Sequence, residues 1–301
     1  MNARTLYIIG NGFDLHHGMP TRYLDFKKHL LEVDRETYDW VDTYVPAEGN
    51  WANLEQALAD LDTDTIVSDM ECFLGSYSSD DWSDSGHHDF QYEVDRVATG
   101  LSHTLLQQFA DWVRSIAVPE RSEVFGGLTN LDTTATFLTF NYTSTLSHLY
   151  DVPAENILHI HGEALDASSV IVLGHGRDEK NRTSLYDSVD HESADHRLLE
   201  AYSTLDDYFS STFKPSGKII QDNSSFFERL GDTEEVIVFG HSMSDVDGAY
   251  FSKLLEILGD TPTTWTFILP PDEDGQRDLQ SNVGKLGLMP DRIAFKKWNQ
   301  L

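Results

Sequence analysis

Short apolar runs that end in glycine or polar residues are the feature that most restricts how this chain of 301 residues can fold. Six such runs, rich in β-branched and aromatic residues, span residues 6–10, 134–140, 168–174, 234–240, 264–270 and 292–298. Near-continuous apolar runs without alternation are typical of strands in a parallel sheet that is covered on both faces. Helical periodicity lies between them, at residues 50–61, about 90–117 and 247–259. We therefore predict an α/β fold with a doubly wound, mostly parallel sheet.

The domain organisation follows from the length and from two polar stretches. A chain of this length fits a single α/β domain over residues 1–301. Residues 75–89 and 177–215 are rich in Asp, Ser and His, and we interpret both as insertions into that domain. No internal repeat is visible.

Charge and composition exclude several classes of protein. The formal net charge of −30 argues against general nucleic-acid binding, because phosphate neutralisation needs a cationic surface. Cys72 is the only cysteine, so neither an intramolecular disulfide nor a cysteine metal cluster can form. No apolar stretch approaches the roughly 20 residues that cross a bilayer, and no signal peptide is recognisable. We expect a cytoplasmic protein that does not contact membranes.

Polar residues cluster where the predicted strands end. Ligands of doubly wound sheets bind outside the carboxyl ends of the strands, so five polar turns at these ends predict a shared binding cleft. The candidate residues are Gly10, Asn11, Gly12, Asp14, Asn141, Thr143, His159, His161, His175, Gly240, His241, Ser242 and Asp245.

Each candidate also has a purely structural interpretation. Gly10 and Gly12 either let the backbone approach a ligand or serve a tight turn. Asp14 either faces a ligand or caps the following helix. The amide of Asn141 bonds either backbone or ligand, because an unpaired buried amide is costly. His161 lies next to Gly162 and is the better candidate for a general base than His159.

The remaining motifs leave similar alternatives. His16 and His17 are structural or exposed, and His175 is a ligand group or an ordinary loop residue. Ser242 faces a ligand or caps the helix that begins near Asp245. In the segment NWANLEQAL, Glu55 is either catalytic or part of a polar helix surface.

Several motifs in order resemble a known family. The segments IIGNGFDLHHGMPTRYLDF, NWANLEQAL, FLTFNYTSTLSHLY, LHIHGE, LGHG and FGHSMSDVDGAYF are together similar to the AbiH family of bacteriophage abortive-infection proteins. The similarity runs from Leu6 to about Phe251. It implies a role in phage defence, whereas the family name records a phenotype and not a reaction.

The order of the motifs also resembles, more distantly than it resembles the AbiH family, that of sirtuin-like defence domains. That resemblance implies a protein with a Rossmann-like fold that hydrolyses NAD. It implies that Asn141 and His161 are the catalytic residues. It further implies that Gly10, Gly12 and the later group around Gly240 hold the nucleotide; Ser242 and Asp245 belong to that later group. This chain departs from the sirtuin-like pattern at two places. The first turn has Gly-Asn-Gly-Phe-Asp where sirtuins have Gly-Ala-Gly followed by a small residue, and Thr143 stands where the pattern has Asp after Asn-Tyr.

These arguments predict a nucleotide site. Backbone N–H groups after Gly10 and Gly12 would hold a diphosphate without formal cations, and Asp14 would close the far side. Our expectation is an anti-phage protein that binds NAD, as substrate or ligand, and hydrolyses NAD or a related nucleotide, with no metal. Such a protein needs a gate, for which the two insertions are candidates; a phage-derived trigger and a homo-oligomer are compatible partners.

Two other functions stay open. Asp14, His16, Asn141 and several further histidines would suit a metal-dependent phosphoesterase or nuclease, although no compact metal motif is present. A non-enzymatic nucleotide-sensing module of a defence system would keep the glycine turns without turnover. Metal content and turnover distinguish these three functions.

Overall fold

A six-stranded parallel sheet forms the centre of the fold in a computed structural model, which describes residues 4–74, 88–124 and 131–300. The strands are β1 (Thr5–Ile9), β2 (Thr136–Thr139), β3 (Ile157–His159), β4 (Glu235–Phe239), β5 (Thr264–Leu269) and β6 (Ile293–Lys297). Every neighbouring pair is parallel, and the order across the sheet is β3-β2-β1-β4-β5-β6. This is the strand order of dinucleotide-binding folds, and it confirms the predicted doubly wound, Rossmann-like sheet.

One predicted strand is wrong. Residues 168–174 form no strand, and the third strand is Ile157–His159, which ends two residues before His161. After β3 the chain folds back as a loop, in which the Val172 N–H donates to His161 O at 2.9 Å. Val170 is 78% exposed there, whereas Ile171 and Leu173 are 5% and 8% exposed, so a β-branched run of the right length is partly buried without joining the sheet. Tertiary context overrides β-propensity in this segment.

The helices of the described residues begin and end as follows. They are α1 (Asn11–His16), α2 (Tyr23–Val33), α3 (Arg35–Tyr44), α4 (Leu54–Ala57), α5 (Thr63–Met70), α6 (Asp89–Thr99), α7 (Leu105–Ser115), α8 (Thr145–Tyr150), α9 (His196–Ser211), α10 (Ser216–Asp222), α11 (Ser224–Glu228), α12 (Gly248–Leu258) and α13 (Glu273–Lys285). The predicted helix over about 90–117 comprises α6, a π-helical turn at Gly100–Thr104 and α7. Over the residues described here, no helix combines the length and the apolar character that crossing a membrane requires.

Alternation along the central strands covers the sheet on both faces. Leu6 and Ile8 of β1 pack into one apolar cluster, together with Leu254 of α12 and Leu279 of α13. Tyr7 and Ile9 pack into the cluster on the opposite face, which includes Phe13 of α1 and Leu146 and Leu149 of α8. Burial on both faces explains why these strands read as continuous apolar runs.

The chain divides into two compact units. The sheet unit comprises Met1–Arg22, Ala110–Val172 and Pro215–Leu301, and it contains all six strands. The helical unit comprises Tyr23–Phe109 and Leu173–Lys214.

The structure describes one of the two predicted insertions and only the end of the other. Most of the stretch 177–215 belongs to the helical unit and includes α9. Residues 75–87 of the other stretch lie outside the described residues, and Asp89 begins α6. The predicted insertion boundaries stay a prediction.

Candidate functional site

The strand order reverses between β1 and β4, and the turns after these two strands lie side by side. The Gly10 N–H donates to Phe239 O at 2.8 Å, and the Gly12 N–H donates to Gly240 O at 2.8 Å. In open α/β sheets the crevice at such a reversal is where ligands bind. The motifs that the sequence singled out after the first and fourth strands therefore lie at the point where the strand order of the sheet unit reverses.

The glycines of these turns are required by backbone packing. A Cβ atom on Gly12 would lie 2.7 Å from the Gly240 Cα, and one on Gly10 would lie 2.6 Å from the His241 Cα. Gly240 itself has a φ of +65°, and its Cβ would lie 2.3 Å from the Phe13 N. The two turns thus touch backbone to backbone, which only glycine allows. This contact accounts for the glycines without a ligand.

Asp14 lies inside the sheet unit, beneath the first turn. The carboxylate is 1% exposed and accepts hydrogen bonds from the hydroxyls of Thr143 (2.6 Å) and Thr145 (2.7 Å). Burial raises the pKa of Asp14 from 3.8 to about 6, and the two hydroxyls oppose that shift. In this arrangement both Asp14 and Thr143 face the protein interior; their predicted nucleotide contacts stay a prediction.

Asn141 connects the exit of β2 to the first glycine turn. Its Nδ2 donates to Gly10 O at 3.1 Å, and its backbone N–H donates to the hydroxyl of Thr139 at 3.1 Å. The amide therefore bonds backbone here, one of the two roles expected for it. His159 Nδ1 lies 3.1 Å from Asn141 O, and burial lowers the pKa of His159.

Asp247 lies between two buried histidines. Its Oδ2 is 3.3 Å from His241 Nε2, and its Oδ1 is 3.6 Å from His161 Nε2. The three side chains come from the loop after β3, the turn after β4 and the short 3₁₀ turn Asp245–Asp247 before α12. We call His161, His241 and Asp247 the His–Asp–His cluster.

Aromatic rings surround this cluster. The Phe140 ring lies edge-on to the rings of His241 (4.4 Å between centroids) and His161 (5.3 Å), and Tyr250 lies 5.5 Å from His161. His161 is 3% exposed as a result. The imidazole is held in one orientation in a low-dielectric setting, where its interaction with Asp247 is stronger than in water.

Other predicted residues lie on the exposed side of the two turns. Asn11 is exposed, with its Nδ2 donating to Thr21 O at 2.8 Å, and Ser242 and Asp245 are exposed as well. His16 is exposed and stacks on Trp298, with 3.5 Å between the ring centroids. Asn11, Ser242 and Asp245 are therefore accessible to a ligand.

His17 is buried beside α8. Its Nε2 lies 2.5 Å from the Tyr150 hydroxyl and its Nδ1 lies 2.7 Å from Phe13 O. Burial lowers the pKa of His17. Its ring joins α1 to α8, the structural role that was one of its two alternatives.

His175 belongs to the helical unit. It follows no strand of the sheet, contrary to expectation, and makes only an isolated parallel bridge with Phe213. Its Nε2 lies 3.2 Å from Phe209 O, and its Nδ1 accepts from the Arg177 N–H at 3.3 Å. Both ring nitrogens are thus occupied by backbone within this unit; its predicted nucleotide contact stays a prediction.

Glu55 belongs to the helical unit as well, where it meets a buried lysine. Its Oε2 lies 2.5 Å from the Nζ of Lys214, and the hydroxyl of Tyr23 donates to its Oε1. Lys214 is fully buried, which a lysine tolerates only when it is paired. Glu55 is therefore the partner of a buried cation and not merely part of a polar helix surface.

The fold makes three residues prominent to which the sequence interpretation gave no role. Asp247 stands in FGHSMSDVD among the polar residues after the predicted fourth strand, but it was not selected as a site residue. Tyr250 and Lys214 carry no recognisable signal, because only tertiary packing brings them to a polar group. Within residues 4–74, 88–124 and 131–300, no group of three His, Cys, Asp or Glu side chains is arranged to hold a metal ion.

The fold defines a doubly wound, Rossmann-like α/β protein with a buried imidazole–carboxylate group at the carboxyl edge of its sheet. A family model described as bacteriophage abortive infection AbiH matches residues 6–269, and the chain belongs to this family. Membership gives the protein a role in abortive infection against phage. A comparison with curated protein sequences gave no match.

Proposed function

We propose that this abortive-infection protein binds NAD, or a closely related nucleotide, in the crevice between the β1 and β4 turns and hydrolyses it. The observation that carries the proposal is the reversal of strand order between β1 and β4, with the polar turns of both strands at that point. Exposed polar side chains of these turns, Asn11 and Ser242, supply hydrogen-bonding groups to the ligand.

The net charge of the chain also suits a small nucleotide better than a larger polyanion. The chain carries a net charge of −30, so a long phosphate backbone would be repelled. A single diphosphate needs only a few local donors, which exposed side chains such as Asn11 and Ser242 supply without formal cations. The N–H groups of Gly12 and Phe13 are not among these donors, because they donate to Gly240 O and Gly10 O. The net charge and the side-chain donors favour a small nucleotide as the ligand.

The chemistry assigned to the site is cleavage of the bond between C1′ of the ribose and nicotinamide. Nicotinamide leaves with the electron pair of that bond, and a water adds to the oxocarbenium-like carbon. His161 takes the proton of that water as general base. Asn141 orients the water or the ribose. The products are ADP-ribose, nicotinamide and one proton.

Binding without turnover is the second candidate, and two observations favour it. The amide of Asn141 donates to Gly10 O, and His161 is 3% exposed. A substrate reaches His161 only after the rings of neighbours such as Phe140 and Tyr250 move. A nucleotide sensor would need no such movement.

The experiment that tests the proposal measures nicotinamide release from NAD by the purified protein, with and without phage lysate. The comparison is between wild type, His161→Gln and His148→Gln, where His148 is an exposed histidine of α8 in the same unit. Loss of a general base lowers the rate about 10²–10⁴-fold. We expect release by wild type and His148→Gln and almost none by His161→Gln, with unchanged thermal unfolding for the control.

Three outcomes would each contradict part of the proposal. Release by His161→Gln at the wild-type rate would remove His161 from the reaction. An absence of release under all conditions, while calorimetry detects NAD binding, would favour the sensor function. If neither binding nor release occurs, the nucleotide proposal is wrong.

A further inference from the structure

The turn after β4 fixes the tautomer of His241. The Met243 N–H donates to His241 Nδ1 at 2.9 Å, so this nitrogen carries a lone pair and the proton of the neutral ring is on Nε2. The turn that aims this N–H has two residues with positive φ, Gly240 at +65° and Met243 at +58°. His241 Nε2–H therefore points to Asp247 Oδ2, 3.3 Å away.

The other carboxylate oxygen faces His161. Asp247 Oδ1 lies 3.6 Å from His161 Nε2, slightly beyond hydrogen-bond distance, and catalytic hydrogen bonds commonly shorten when the substrate binds. An ionised carboxylate only accepts hydrogen bonds, so it favours the His161 tautomer with its proton on Nε2. That tautomer leaves Nδ1 as the basic nitrogen.

Packing keeps both rings directed at the carboxylate. Phe140 contacts the rings of His161 and His241 edge-on, and Phe251 lies 5.0 Å from the ring of His241. Asp247 is only 14% exposed, so water competes weakly for its oxygens. Neither imidazole can turn away without displacing these aromatic rings.

From this geometry we propose that Asp247 is a positioning residue that fixes the tautomer of His161, with His241 holding the carboxylate in place. The inference deepens the proposed hydrolase function and rests on it for its catalytic consequence. A base that is oriented by a third group is the usual arrangement in acid–base and nucleophilic catalysis.

The substitution Asp247→Asn gives a sharp test, because an amide has one accepting and one donating end. His241 keeps its proton on Nε2, since the Met243 N–H occupies Nδ1, and therefore takes the amide oxygen. The amide NH₂ must then face His161 Nε2, which becomes the accepting nitrogen. We expect the proton of His161 to move from Nε2 to Nδ1.

Two readouts follow the substitution. Nitrogen-15 NMR of histidine-labelled protein reports the tautomer of each ring without any turnover. Steady-state NAD hydrolysis reports catalysis, where we expect kcat to fall about 10²-fold or more with KM changed less than about 3-fold. The control is Asp260→Asn, an exposed acid after α12, which should change neither readout.

The outcomes separate the two proposals. An inverted His161 tautomer with lost kcat supports both. An inverted tautomer in a protein whose wild type releases no nicotinamide supports the positioning by Asp247 and overturns the hydrolase function. An unchanged His161 tautomer in a folded Asp247→Asn protein overturns the positioning role, whatever the turnover; thermal unfolding establishes that the variant is folded.

Discussion

Two carboxylates at the same edge of the sheet, Asp14 and Asp247, are held in opposite ways. Asp14 receives short hydrogen bonds of 2.6 and 2.7 Å from two threonine hydroxyls and is 1% exposed. Asp247 faces two imidazoles at 3.3 and 3.6 Å and is 14% exposed. The first carboxylate accepts hydrogen bonds from hydroxyls, whereas the second faces imidazole nitrogens, each of which donates or accepts according to the tautomer of its ring.

The difference separates a structural from a chemical use of the same side chain. Short bonds from hydroxyls fix α1 against the exit of β2, because moving either element leaves a buried polar group unpaired. Longer contacts to imidazoles leave room for a proton to change position. We therefore expect substitutions around Asp14 to change stability and substitutions around Asp247 to change the tautomer of His161.

The largest effect is expected at Gly240, whose backbone supports both regions. The substitution Gly240→Ala places a Cβ 2.3 Å from the Phe13 N at a φ of +65°. Positive φ and overpacking together should cost about 3 kcal/mol or more of unfolding free energy. Urea unfolding measures it, with Gly217→Ala of α10 as the control, since nothing lies within 4 Å of that Cβ. Equal stability of the two variants would show that the turns do not pack as described.

The next effect concerns the pH dependence of stability through Asp14. Burial raises its pKa from 3.8 to about 6, so the folded protein binds this proton more tightly than the unfolded chain does. The contribution of Asp14 to stability is therefore largest below about pH 4 and falls by about 3 kcal/mol as the pH rises through about 6. Asp14→Asn lacks this loss.

Urea unfolding of wild type and Asp14→Asn at about pH 4 and pH 7.5 checks the sign. Relative to wild type, the variant should gain about 3 kcal/mol between the two pH values. The exposed Asp260→Asn should track wild type at both. A stability difference that does not change with pH would mean that Asp14 titrates as an ordinary carboxyl. Burial would then not distinguish the electrostatics of Asp14 from those of Asp247.

The smallest effect is expected at Thr143, which supplies one of the two hydroxyls. Thr143→Val removes a hydrogen bond to a charged group, which is worth about 1.5–3 kcal/mol at pH above 6. The control is Thr264→Val, an exposed position at the start of β5, where the change should stay within about 0.5 kcal/mol. A near-neutral result at Thr143 would place the anchoring of Asp14 on its other partners, Thr145 and Asn141.

Part of the candidate site could be predicted because strand ends and glycine turns are local features. The sequence pointed to the residues around Gly10, Asn141 and Gly240, and parallel strands bring their carboxyl ends to one edge. It also predicted that His175 follows a strand, wrongly, because residues 168–174 have the composition of a strand but form none. Composition cannot tell which apolar run finds a hydrogen-bonding neighbour.

The sequence by itself determined the parallel α/β sheet, five of its six strands and the positions of the polar turns. Apolar runs and helical periodicity record burial, and burial is decided largely by local pattern. Only the tertiary structure decided that Asp14 faces two hydroxyls, that Asp247 faces two imidazoles and that Lys214 is buried against Glu55. Such partners are distant in the chain, and they meet because close packing leaves a buried charge few other ways to be satisfied.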